Sequence, residues 1–220
     1  SVVSLERRVF GDNPLQWVSI SKNTSYVKNS FPKGTEIIFR GSEPEPNPEP
    51  DAPEGYNKFD GYGQVNAKKA FELLLDIDLP SVNNLGGKDW SLDMINAPEV
   101  WSGAGSFKGA NGSGITVAVL DTGVDLDHPE FKNRIVPGYD FVDNDQIADD
   151  PHGHGTHVAG TIAGARDGKG VTGVAYNAEI MPIRVAGEQG VWERDLINGI
   201  YWAVHNKADV INMSLGWPPG

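Results

Sequence analysis

Apolar positions along the second half of the chain fall into runs of two kinds. Residues 115–120 (ITVAVL) are continuously apolar and rich in β-branched side chains, the pattern of a strand covered on both faces. Residues 157–165 are small and apolar, which predicts a tightly packed helix; residues 179–185 read as a second strand. Residues 194–206 have the spacing of an amphipathic helix, and residues 208–215 read as a third strand. This alternation predicts an α/β fold, a parallel sheet with helices on both faces. Upstream, residues 66–75 (NAKKAFELLL) predict a short helix with Ala67, Ala70, Phe71 and Leu74 on one face. Residues 16–20 and 35–39 are strand-like runs set off by Lys, Asn, Pro and Gly. Between them and the helix, residues 42–53 alternate proline with acid and cannot pack a core. The expected divisions are an N-terminal extension with short strands (1–41), a Pro/Glu-rich linker (42–55), a helix-containing connecting segment (56–87) and the α/β unit (88–220).

Composition narrows the function classes. A formal net charge of −12 and a sequence pI near 4.7 repel phosphate backbones and anionic lipid, so neither nucleic acid nor membrane is expected as a partner. No run of about 18 apolar residues occurs. The absence of cysteine excludes disulfides, thiolate catalysis and cysteine zinc sites. The acidic surplus has two readings, solubility or a supply of the carboxylates that calcium sites use. Ser1 to Asn13 carry no apolar stretch of the signal-peptide kind.

Three clusters carry candidate chemistry: Asp121-Thr122-Gly123 at a predicted strand's C-terminal end, His154-Gly155-Thr156-His157-Val158-Ala159-Gly160 after a loop, and Asn212-Met213-Ser214-Leu215-Gly216. Taken singly, the aspartate could be a helix cap and the histidine a structural residue. Taken together, VAVLDTGVDLDHPEF, HGTHVAGTIAG and DVINMSLG resemble the subtilisin-like serine proteases (subtilases), of the thermitase-like, calcium-dependent bacterial type, from about Trp90 to Gly216. The resemblance implies a serine endopeptidase with Asp121 as triad carboxylate and His154 as general base. His157 reads instead as a structural partner. The resemblance also implies that Ser214, Leu215 and Gly216 pair with an extended peptide or protein substrate, with Gly190 and Trp192 in the opposite flanking strand. Trp192 then lines a pocket or is an ordinary surface aromatic. A secreted or extracellular location follows from the family alone.

The family's oxyanion Asn and its Gly-Thr-Ser nucleophile run lie well downstream of Ser-Leu-Gly. No Gly-Thr-Ser run occurs in these 220 residues. The expectation is that this polypeptide alone does not hydrolyse peptides, and that a complementary chain could carry the catalytic serine. The resemblance further implies Ca2+ at two loops. One would use Asp140, Asp143 and Asp145, with Asp149 close behind; Ile147 stands there where the family has Thr. The other would use Glu130 and Asp167 side chains with the carbonyls of Ala165, Lys169 and Val171; the family usually has Asp where Glu130 stands. A solvated acidic loop is the alternative for each. Residues 60–67 (DGYGQVNA) resemble a signature that closes many subtilase domains, yet here precede the Asp motif. A rearranged order and an N-terminal extension both accommodate that.

Rival readings start from other chemistry. Asp-Thr-Gly is also the aspartic-protease motif, but one copy leaves HGTHVAG unexplained. His152, His154 and His157 could be read as a zinc site, without the nearby Glu base of a zinc hydrolase. A non-catalytic module that grips extended peptides, or complements a second chain, is the third.

Overall fold

The computed structural model describes the backbone of three short strands near the N-terminus and residues 64–216 in full. The strands β1 (Val3–Arg8), β2 (Gln16–Ser19) and β3 (Glu36–Gly41) form an antiparallel sheet in the order β2-β1-β3. The two strand-like runs of the sequence correspond to β2 and β3, and β1 joins them. The linker expected at 42–55 and the glycine-rich stretch up to residue 63 lie outside the described residues.

Helix α1 (Ala67–Leu75) forms where expected, capped by the Asn66 side chain accepting from Lys69 N at 2.8 Å. Its apolar face is not a core face. Leu74 is exposed, as are Leu73 and Ala70, and no residue of the helix is buried. Phe71 makes a tilted ring contact with Phe107, and that pairing directs the helix in place of burial along the whole stripe. Two short helices follow, α2 (Trp90–Met94) and α3 (Ala97–Ser102), whose Leu92, Ala97 and Trp101 make a small cluster of their own.

The main sheet contains β4 (Thr116–Asp121), β5 (Tyr139–Asp140), β6 (Glu179–Arg184) and β9 (Val210–Asn212), all parallel, in the order β5-β6-β4-β9. A hairpin of β7 (Ala186–Gly187) and β8 (Gly190–Val191) leaves the end of β6. Helices α4 (His154–Ala163) and α5 (Glu193–His205) cover the two faces. Side chains alternate across β4 with the period of two that a strand imposes. Ala118 and Leu120 join Met181, Ile183, Leu196, Ile200 and Ala203 beneath α5. Val117 and Val119 join Phe131, Ile180, Ala159 and Ala163 beneath α4. Full burial of each Leu, Ile or Val contributes about 1.5–3 kcal/mol, so these two clusters fix the register that the site depends on. The α/β expectation holds.

Two boundaries differ from the sequence reading. Helix α4 starts three residues before the expected 157, and β9 is three residues where eight were expected. The first shift puts His154 inside the helix's opening turn.

Candidate active site

All four strands point the same way, so their C-terminal ends share one edge of the sheet, where such folds place reactive groups. Register sets the level: Leu120 pairs with Ile183 and Val119 with Asn212. Asp121 therefore ends β4 beside the exit of β6 into the β7–β8 hairpin, and Ser214 follows the end of β9 on its other side.

Asp121 is fully buried. Its Oδ1 lies 2.7 Å from His154 Nδ1 and also accepts Thr122 N–H at 2.7 Å. The His154 side chain is 46% exposed, and no described residue hydrogen-bonds its Nε2. A carboxylate at Nδ1 selects the tautomer with its proton on that nitrogen, so the free Nε2 presents a basic lone pair to the open side. Asp121 Oδ2 is buried without a partner among the described residues.

The approach of α4 to β4 requires a glycine. A Cβ on Gly155 would lie 2.0 Å from the Gly123 carbonyl oxygen and 3.0 Å from Asp121 Cβ. Only a bare backbone lets the helix's first turn come close enough for His154 to reach Asp121. Gly123, with φ +110°, turns the chain away just after Asp121 and packs against the Asp149 carbonyl.

The remaining expected residues are placed as follows. Ser214 Oγ lies 3.0 Å from Asn212 Nδ2, just past β9, and Leu215 packs part-buried on the core while Gly216 is exposed. Gly190 takes φ +91° at the start of β8, directly after the hairpin turn. Trp192 caps α5 by backbone alone and is 63% exposed. His157 is exposed along α4, and among the described residues no three His, Asp or Glu side chains converge on a metal-holding arrangement.

The two acidic loops differ. In the first, buried Asp140 and exposed Asp143 both accept from Arg184 Nη1, at 2.6 and 2.5 Å. Burial pulls the guanidinium down, yet its hydrogen bonds to Asp140 and Asp143 outweigh that and raise its pKa further. Asp145 turns its carboxylate to Ile147 N–H at 2.7 Å, and Asp149 accepts from Leu126 N–H at 3.4 Å. The cation that gathers Asp140 and Asp143 here is an arginine, and among the described residues the four carboxylates do not converge on one point. In the second, the loop 165–171 wraps the buried Glu130 carboxylate: Oε2 accepts Ala165 N–H at 2.8 Å, and a Cβ on Gly170 would lie 1.8 Å from Oε1. Asp167 caps Lys169 N–H at 2.9 Å. Glu130, from the 129–131 turn, and Asp167 and the carbonyls of the loop are hard oxygen donors of the kind calcium takes.

One residue at the site was passed over by the sequence reading. Asp150 accepts five hydrogen bonds from both segments of the Asp–His pair.

Residues 112–219 match the subtilase family. An intracellular serine protease of Paenibacillus polymyxa is 48% identical over 132 residues, covering 58% of this chain and 39% of that protein. The major intracellular serine protease of Bacillus subtilis (strain 168) is 46% identical over 133 residues, covering 58% and 40%. Subtilisin E of the same organism is 41% identical over 133 residues, covering 60% and 33%. Among solved structures, a cold adapted subtilisin-like serine proteinase is 44% identical with a TM-score of 0.45, covering 50% of this chain and 40% of that one. The chain thus carries a subtilase-family segment at residues 112–219. It spans about two fifths of the length of the first relatives it matches.

Proposed function

We propose that this chain supplies Asp121 and His154 to an endopeptidase that works by an Asp-His-Ser triad, with the serine carried by polypeptide outside these 220 residues. The observation that carries the reading is the 2.7 Å contact of a fully buried Asp121 with His154 Nδ1, which leaves Nε2 free on the open side. In the reaction Nε2 takes the serine hydroxyl proton as the oxygen attacks the scissile carbonyl, then returns it to the leaving amine. Asp121 holds the tautomer and stabilises the imidazolium without itself being protonated. An extended peptide or protein substrate lies along Ser214–Gly216 by strand addition, opposite Gly190 and Trp192, where backbone hydrogen bonds give affinity with little sequence demand.

Calcium belongs to this reading first at Glu130, Asp167 and the carbonyls of Ala165, Lys169 and Val171. At the loop of Asp140, Asp143, Asp145 and Asp149 the ion would have to draw carboxylates away from Arg184. An extracellular site of action rests on the family alone, and relatives named as intracellular, 48% and 46% identical, match more strongly than one named as extracellular, 34% identical.

The test is reconstitution. The 220-residue polypeptide should show no turnover of a peptide substrate, and adding a serine-bearing subtilase segment should restore it. In the restored enzyme Asp121→Asn should cost about 10^4 in kcat and His154→Ala about 10^6, the scales seen when triad members are removed from other serine proteases. Turnover that survives His154→Ala sinks the reading.

A further inference from the structure

The carboxylate of Asp150 is the meeting point of the two segments that bear Asp121 and His154. Its Oδ1 accepts from Thr122 Oγ1 at 2.8 Å, His152 N–H at 3.0 Å and Gly153 N–H at 2.9 Å. Its Oδ2 accepts from Thr156 N–H at 2.9 Å and from the Thr156 hydroxyl at 2.6 Å. A carboxylate offers about four lone-pair sites, so this one is saturated.

These bonds also fix the polarity of both hydroxyls. Each threonine gives its proton to Asp150 and keeps its lone pairs for a backbone donor. Thr122 Oγ1 accepts Gly155 N–H, and Thr156 Oγ1 accepts Asp125 N–H, both at 2.9 Å. Thr122 adjoins Asp121; Gly155 adjoins His154. The network is a clip closed in both directions across the Asp–His contact.

Helix α4 shows why the clip is needed. A helix leaves its first N–H groups without internal partners, and an N-cap side chain normally takes one. Here the N-cap is Gly153, which has no side chain, and Asp150 and Thr122 together take the N–H groups of Thr156 and Gly155. The helix's first residue is His154, so whatever anchors that turn sets where the imidazole stands.

We propose that Asp150 is a positioning residue: by binding Thr122 and the first turn of α4 at once, it holds His154 Nδ1 on Asp121 Oδ1. It touches no reacting atom and acts through the two residues that do. This rests on the proposed role of the Asp–His pair, and the experiment separates the two.

The experiment follows the Nδ1–H proton of His154, far downfield in the 1H NMR spectrum of the 220-residue chain at low temperature, and needs no catalysis. Wild type should show it. Asp150→Ala and Asp150→Asn should lose it at a temperature where their far-ultraviolet circular dichroism still matches wild type; Asn places an NH2 against two donors and so cannot substitute. Thr122→Val should lose it too and Thr122→Ser should keep it, since serine retains the hydroxyl. Asp209→Ala is the structural control: Asp209 Oδ2 accepts Thr116 N–H at the far end of β4, at 2.9 Å. It should lower the melting temperature and leave the resonance in place. A resonance retained in Asp150→Ala overturns the inference. Loss in Asp209→Ala to the same extent does so as well, since mere destabilisation would then suffice. A wild type without the resonance counts against the Asp–His pair itself, and this inference falls with it.

Discussion

At the residue scale, charge at Asp150 is held in place by its donors. Partial burial pushes its carboxyl up, but the Thr156 hydroxyl, the Gly153 and Thr156 N–H groups and the Thr122 hydroxyl outweigh that and hold it at about 2. An unfolded aspartate titrates near ~3.9. The folded value lies below the unfolded one, so the ionised form contributes stability that is complete above about pH 4 and disappears as pH falls toward 2. Urea unfolding across pH 2 to 5 should therefore show a steeper loss for wild type than for Asp150→Asn, whose curve starts lower and runs flatter. Parallel curves would mean that the hydrogen bonds do not couple to folding. Sequence reading singled out Asp121 and His154 on the motifs around them, and the structure brings the two into contact. The same reading passed over Asp150 because its partner Thr122 lies 28 residues away and nothing local marks an aspartate as a clip in place of one more acid in an acidic loop.

The elements were legible to the degree that their own pattern decides them. β4 is apolar on both faces and β6 nearly so, and both were read to within a residue or two at each end. Helix α4 was placed late because its opening turn, His-Gly-Thr, has poor helical propensity and is capped from outside the helix. β9 was read too long because Met213 and Leu215 are apolar for packing against the core, not for pairing. In α1 the apolar stripe was real, but nothing described covers Leu74. The contact of α4 with β4 yields the prediction that belongs here. Gly155→Ala drives a Cβ onto the Gly123 carbonyl, 2.0 Å away in the present backbone, and a backbone oxygen cannot swing aside as a side chain can. It should cost about 3 kcal/mol, the upper end for overpacking, and move His154 off Asp121. Gly153→Ala is the comparison, since its Cβ meets nothing within 4 Å and only the left-handed φ of +95° opposes it, at about 1–2 kcal/mol. Denaturant melts that rank the two in the opposite order would show that α4 can slide along β4.

For the molecule as a whole, an acidic chain of net charge −12 has to keep its carboxylates apart or neutralise them. Around β5 it neutralises them with an arginine 44 residues away in sequence, from the neighbouring strand: Asp140 pairs in register with Arg184, and the same guanidinium holds the Asp140 and Asp143 side chains. The family resemblance assigned the acids of this loop to calcium; the arginine that holds two of them came into view with the register. Removing it leaves Asp140, 1% exposed, as a buried charge without a cation, which typically costs 3–5 kcal/mol. Arg184→Gln should lose about 3 kcal/mol in calcium-free buffer, and Asp140→Asn in that background should recover part of it. Calcium then separates the two loops. An ion bound only by the folded state stabilises it by about 2.7 kcal/mol at a hundredfold excess over its Kd. Wild type should gain through Glu130 and lose that gain in Glu130→Gln. Arg184→Gln should gain more than wild type, because Asp140 and Asp143 are released to the ion. Equal calcium shifts in wild type and Arg184→Gln would confine the ion to the 165–171 loop, and a melting temperature indifferent to calcium in all three would retire both sites while leaving the Asp121–His154 contact untouched.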